Sequence, residues 1–286
     1  MQQSLEFLLE GVIDYAGLFP PAKLPVAEAY AEYLSVHDHW IVNRFVCSTA
    51  DLIHLRREIE LNKPSVPLEI VAIGKASTDD ATWEDALEHD AVAMTSFNEK
   101  LEGLASIEAY EIRIPSHENL VKCVRDLRGF EEAEVFVELP PTEDISQAVA
   151  ALVDSDWLYA KFRTGPAKPS AESVAAFMHE AISFDLPLKL TAGLHHPFTT
   201  PEHFGFLNVL IAACLIYAED LPRSQAARLL AEEDPKAFSF NTQELSWRGV
   251  SANIEAIRET RDLFVGFGSC SVSEPLDEME SLGLMG

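Results

Sequence analysis

Eight short runs rich in branched and aromatic residues alternate with helix-like stretches almost from end to end of this 286-residue chain. The strand-like runs are Val12 to Leu18, Ile41 to Ser48, Leu68 to Lys75, Tyr110 to Pro115, Glu134 to Pro140, Leu158 to Thr164, Pro187 to Gly193 and Leu263 to Gly268. Between them helix is expected over Pro25 to Val36, Thr49 to Leu61, Asp79 to His89, Ser116 to Leu127, Glu143 to Val153, Ser170 to Phe184 and Phe204 to Ala218. Strands joined through helices pair in parallel, and eight such units in a chain of this length are what an α/β fold of the (β/α)8 or TIM-barrel type requires. A doubly wound sheet is the alternative, but Gly17-Leu18-Phe19-Pro20-Pro21 stands where a Gly-rich dinucleotide turn would follow the first strand.

The whole chain, 1–286, reads as one barrel domain, because no linker or low-complexity segment divides it. An insertion is expected over about 221–261, before the last strand. It holds a helix (Arg223 to Glu233), a β-hairpin in which Phe238 and Phe240 alternate opposite Leu245 and Trp247, and a helix (Ala252 to Thr260). In the alternative, Phe238 to Asn241 is itself the eighth strand. The stretch Asp90 to Ala109 is ambiguous.

Charge excludes some functions. Against 21 basic residues, only 9 of them Lys, stand 47 acidic ones, for a formal charge of -26. Nucleic acid and anionic membranes are bound through basic patches, so neither is an expected partner. Such a surface also suits a salty cytoplasm, and a halophilic source stays open beside an ordinary acidic protein. The start Met-Gln-Gln-Ser-Leu-Glu lacks the basic and apolar regions of a signal peptide. Phe204 to Ala218, the longest apolar run, falls short of the roughly 18 residues a membrane span needs. Cys47, Cys123, Cys214 and Cys270 lie far apart with no CxxC pair, which points to a reducing cytoplasm rather than a disulfide framework or zinc knuckle.

Chemistry concentrates in the strands. Lys161-Phe-Arg-Thr-Gly and Lys189-Leu-Thr-Ala-Gly end two successive strands, and alternation puts Lys161 on one face with Arg163 and Lys189 with Thr191. Buried lysines cost several kcal/mol unless paired or chemically employed. The other polar residues placed at strand ends are Asp14, Tyr15, Arg44, Cys47, Lys75, Glu111, Arg113, Glu138, His195, Gly268 and Ser269. Six basic residues in the strands of an acidic protein suggest a small anionic ligand, a phosphate or carboxylate. Neighbouring cations disfavour an ammonium form, so Lys161, beside Lys189 and Arg163, is expected to offer a free amine to a carbonyl, with Glu138 moving protons.

These runs, with the helix opening at Ser170-Ala-Glu-Ser-Val and a last strand ending Phe267-Gly-Ser-Cys-Ser, resemble the second half of deoxyribose-phosphate aldolases. Phe45-Val-Cys-Ser is similar to their cysteine-bearing strand. Those enzymes are class I aldolases on a (β/α)8 barrel. The resemblance implies Lys161 as Schiff-base lysine, Lys189 as its electrostatic partner, and Gly193, Gly268 and Ser269 as phosphate-binding. Departures are Leu194 in place of the second glycine of the Gly-Gly turn, Arg163 in place of a small residue, and Glu111-Ile-Arg113 where the aldolases carry an acidic proton shuttle, a role left unassigned. Asp14-Tyr-Ala-Gly-Leu-Phe-Pro-Pro and Gly193-Leu-His-His-Pro resemble segments of an uncharacterised bacterial family rather than of the true aldolases.

The expectation is a cofactor-independent, aldolase-like lyase acting through a lysine Schiff base. Its catalytic residues are Lys161, Lys189 and Glu138. Asp14, Arg44, Arg113, Arg163, Thr191, Gly193, His195, Gly268 and Ser269 bind a small anionic substrate. No metal is expected, since His195, His196 and His203 show no HxH or HExxH spacing. Homo-oligomerisation stays open. The rival readings are a non-catalytic anion-binding barrel and a metal-dependent hydrolase; Cys270 as a nucleophile with His195 as base is a lesser alternative.

Overall fold

The computed structural model describes residues 2–75, 80–115, 120–139 and 145–285. Its strands are β1 Ile13–Tyr15, β2 Val42–Ser48, β3 Leu68–Ile73, β4 Ala105–Arg113, β5 Glu134–Leu139, β6 Leu158–Arg163, β7 Leu188–Thr191, β8 Phe238–Phe240, β9 Glu244–Trp247, β10 Val250–Asn253 and β11 Phe264–Ser269. The helices are α1 Gln3–Leu9, α2 Val26–Val36, α3 Leu52–Leu61, α4 Asp80–Lys100, α5 Leu120–Asp126, α6 Ile145–Ala150, α7 Ala171–Ser183, α8 Phe206–Glu219, α9 Arg223–Leu230, α10 Ile254–Leu263 and α11 Ser273–Ser281. Parallel pairing closes the barrel in the order β1-β11-β7-β6-β5-β4-β3-β2. The expected barrel and the eighth strand at Leu263 to Gly268 are thus present, and Phe238 to Asn241 is not a barrel strand. The expected ends at Pro140, Asp79, Ser116 and Glu143 lie outside the described residues.

The insertion differs in one respect from a helix and hairpin. Arg248 and Gly249 both have positive φ, 50° and 86°, the two-residue turn that suits strand twist, and Trp247 pairs with Val250 across it. The result is a three-stranded sheet, β10-β9-β8. Its purpose follows from α8, where every residue from Phe206 to Ile216 is buried. A helix apolar all round needs cover on every side, and α9, α10 and the β9–β10 ribbon supply it. Asn208 locks this arrangement: its amide donates to the carbonyls of Leu229 and Glu232, each at 2.8 Å, and its oxygen accepts from the Thr199 N–H at 3.0 Å.

The ambiguous stretch resolves into the long α4 and the start of β4. Asp90, fully buried, accepts from the Thr49 hydroxyl at 2.6 Å, the Tyr110 hydroxyl at 2.8 Å and the Lys75 N–H at 2.8 Å. One carboxylate therefore ties α4 to the ends of β2 and β3.

Inside the barrel, alternation makes layers. Val46, Val71, Ala109 and Phe136 form an apolar cluster, separate from the core between strands and helices, with Ala16, Phe19, Ile73, Tyr159 and Val265 against it. On β5 the inward series is Glu134, Phe136, Glu138, so charge lies on both sides of this cluster.

Candidate active site

Above the apolar layer, toward the C-terminal ends of the strands, five buried charged groups meet. Register sets Glu138, Lys161 and Lys189 side by side on β5, β6 and β7. The Lys189 ammonium donates to Asp14 Oδ2 and, at 2.5 Å, to Glu111 Oε1. Lys161 Nζ lies 2.7 Å from Glu111 Oε2 and 3.1 Å from Glu138 Oε2. The same Glu138 oxygen lies 3.7 Å from a terminal nitrogen of Arg163. A chain of alternating charge thus runs Asp14, Lys189, Glu111, Lys161, Glu138, Arg163.

Burial alone would push the Glu111 carboxyl up, but the two lysine ammonium groups outweigh it and hold the group at about 2. Burial likewise disfavours the Lys189 ammonium, and the flanking carboxylates of Asp14 and Glu111 reverse this, raising Lys189 above the ordinary lysine value. Lys189 therefore stays charged. The ring of Phe136, 5.2 Å from Lys189 Nζ, floors the cluster with its π face.

Two of the sequence expectations need correction. Lys189 and Arg163 are expected to disfavour the Lys161 ammonium with Glu138 nearby to move protons, yet Glu111 stands between the lysines and Glu138 between Lys161 and Arg163. Arg44 was expected at the mouth, yet its guanidinium reaches down to Glu69, at 3.1 Å, and to Glu134 near the N-terminal ends of β3 and β5. Only its backbone N–H touches the cluster, donating to Asp14 Oδ1 at 3.2 Å.

The remaining residues divide. Thr191 and Gly268 pair across β7 and β11, with Arg163 paired to Thr191 on the other side. Gly193, at φ 77°, sits where an added Cβ would lie 3.2 Å from the Thr164 carbonyl. Ser269 is in register with Tyr15, which packs outward on Tyr33 and Phe45, and the Ser269 hydroxyl donates to the Ser271 carbonyl at 2.6 Å rather than into the barrel. Arg113 is exposed at the end of β4. Cys47 is buried, and burial raises its thiol.

His195 has its Nδ1 4.0 Å from the Cys270 sulfur and its ring 5.9 Å from that of His203. Burial, then the neighbouring His203, lowers His195, while burial raises the Cys270 thiol and disfavours the thiolate. Among the described residues no group of three His, Cys, Asp or Glu side chains is placed to hold a metal ion. The residue that the sequence left without a role is Glu111, the bridge of the network. Its signal was the alternation with Arg113 in a strand next to Glu138.

No family model matches the chain, and no match is found among curated proteins. Among solved structures it is similar to an aldolase, with TM-score 0.55 and 13% identity, over 97% of this chain and 98% of the other. It is also similar to the D-allulose 3-epimerase of a Methylomonas species, with TM-score 0.42 and 12% identity, over 80% of this chain and 90% of that one. The likeness to the aldolase, at this identity, shows the fold alone, the barrel already seen in the strand order.

Proposed function

We propose that this barrel is a class I aldolase-like lyase that forms a Schiff base between Lys161 and a small phosphorylated or carboxylated carbonyl compound, without a cofactor. The observation that carries this reading is the bridged pair Lys161–Glu111–Lys189, buried on the inner face of the barrel strands. Active sites of such barrels lie at this end. Each lysine touches two carboxylates, and Lys161 is the one whose second carboxylate, Glu138, also adjoins the half-exposed Arg163.

The chemistry balances within the cluster. Three carboxylates face three cations, so a proton can pass from Lys161 to Glu138 without leaving net charge buried. The free amine adds to the carbonyl carbon, and a proton moves from the new ammonium to the oxygen. Glu138 then returns its proton to that hydroxyl, which departs as water and leaves the iminium. The iminium withdraws electrons from the neighbouring carbon, which is what makes or breaks a carbon–carbon bond. The likeness of the whole fold to an aldolase supports the reading, as does the resemblance of the two lysine strands. All four cysteines are buried thiols, no described helix is long and apolar enough to cross a membrane, and a cytoplasmic location is part of the proposal.

An iminium acidifies its α-carbon, so the test is exchange of α-hydrogens for deuterium, followed by NMR across aldehydes and oxo acids in D2O. The protein should catalyse exchange in at least one, and Lys161→Ala should not. Exchange undiminished in Lys161→Ala would end the proposal.

A further inference from the structure

In the upper network the lysine side chains are almost fully buried, yet 53% of the Arg163 side chain is exposed. Its Nε donates to the Gly165 carbonyl at 2.9 Å, which fixes the guanidinium plane and leaves the two terminal nitrogens as a fork. One of them stands 3.7 Å from Glu138 Oε2, beyond hydrogen-bonding distance. The pairing is loose, and the same oxygen holds Lys161 at 3.1 Å. Beside Arg163, the Thr191 hydroxyl oxygen is buried with no hydrogen-bond partner among the described residues. Such a group calls for an explanation. On its other side Gly268 leaves space, since a Cβ there would meet only the Thr191 methyl, at 3.9 Å.

We propose that Arg163 receives the carboxylate of a short 2-oxo acid whose adjacent carbonyl meets Lys161, and that this contact draws Arg163 away from Glu138 and readies Glu138 to take the Lys161 proton. The inference rests on the Schiff-base reading and narrows its substrate class. Lys161 and Arg163 flank one oxygen, at 3.1 and 3.7 Å, so an anion held by Arg163 belongs next to the reacting carbon rather than at the far end of a sugar chain. A planar fork also matches a planar carboxylate. Once Arg163 turns to the substrate, the Glu138 oxygen that stood between the two cations faces Lys161 alone. One N–H bond breaks on Lys161 and one O–H bond forms on Glu138. Thr191 then donates to the carbonyl oxygen, which gives its buried hydroxyl a partner.

The test uses the intact protein with cyanoborohydride and either pyruvate or hydroxyacetone, a neutral ketone of similar size. Adduct formation is followed by mass, each rate normalised to that with free lysine. Wild type should favour pyruvate by about tenfold or more, the scale of one charge-assisted hydrogen bond. The preference should fall toward unity in Arg163→Gln and return in part in Arg163→Lys, which keeps the charge without the fork, with melting temperatures reporting folding. Equal wild-type rates, or a preference that survives Arg163→Gln, would overturn the carboxylate assignment and leave the Schiff base standing. No adduct with either probe would overturn both.

Discussion

The barrel interior carries two ion networks, one at each end, and they are built differently. At the lower end Arg44 is shared by Glu69 and Glu134, whose side chains are 56% and 31% exposed. At the upper end two lysines share Asp14, Glu111 and Glu138, none more than 10% exposed. Burial lowers Arg44, but Glu134, Asp14 and Glu69 more than compensate, so its charge is permanent. A guanidinium that never loses its proton can close a barrel but cannot attack a carbonyl. A lysine can do both, and the upper network places one against a carboxylate able to take its proton. The choice of cation, together with depth, separates the plug from the site.

The widest gap between the two ends should appear in stability. Removing one partner from a buried ion pair leaves an uncompensated charge, so Glu111→Ala should cost about 3–5 kcal/mol in urea unfolding. Glu69→Ala, at the solvent-exposed lower end, should cost less than ~1 kcal/mol. Similar losses from both would erase the distinction.

Acid should show the same asymmetry. Glu111 is depressed from 4.5 to about 2 in the folded protein, so its stabilising contribution is fully present above the unfolded value and is lost as pH falls through the folded one. The stability difference between wild type and Glu111→Gln should therefore shrink by roughly 3 kcal/mol as pH drops through that window. A difference that stays constant there would mean that Glu111 is not held ionised by the lysines.

Smaller effects sharpen the roles within the upper network. Lys189→Ala frees Glu111 to hold the Lys161 ammonium alone, so adduct formation on Lys161 should slow by about tenfold. An unchanged rate would confine Lys189 to structure. Thr191→Val removes a buried hydroxyl without a partner, and should leave stability within about 1 kcal/mol of wild type, on the stabilising side. A clear loss would show that the hydroxyl already has a structural partner.

The barrel was legible because strand and helix periodicities differ, and all eight barrel strands lie within a few residues of the runs read from the chain. Alternation also paired Lys161 with Arg163 and Lys189 with Thr191. It gives the face of a strand but not the height along it, which is why Arg44, third in β2, was expected at the mouth and lies at the foot. Glu111 stayed without a role because a bridge depends on register between strands far apart in sequence. Ser269 follows a register irregularity between Phe264 and Gly266, which turns it away from the inner face. The strand β10 was missed because Arg248-Gly249 is a less common dipeptide for its turn than Asn-Gly or Asp-Gly.

Mapping the reduced adduct tests the central claim most directly. After cyanoborohydride treatment with pyruvate, digestion and mass spectrometry should place the added mass on the peptide containing Lys161, and Lys161→Ala should carry none. An adduct on Lys189, or one on exposed lysines that persists undiminished in Lys161→Ala, would contradict the assignment of Lys161 as the nucleophile.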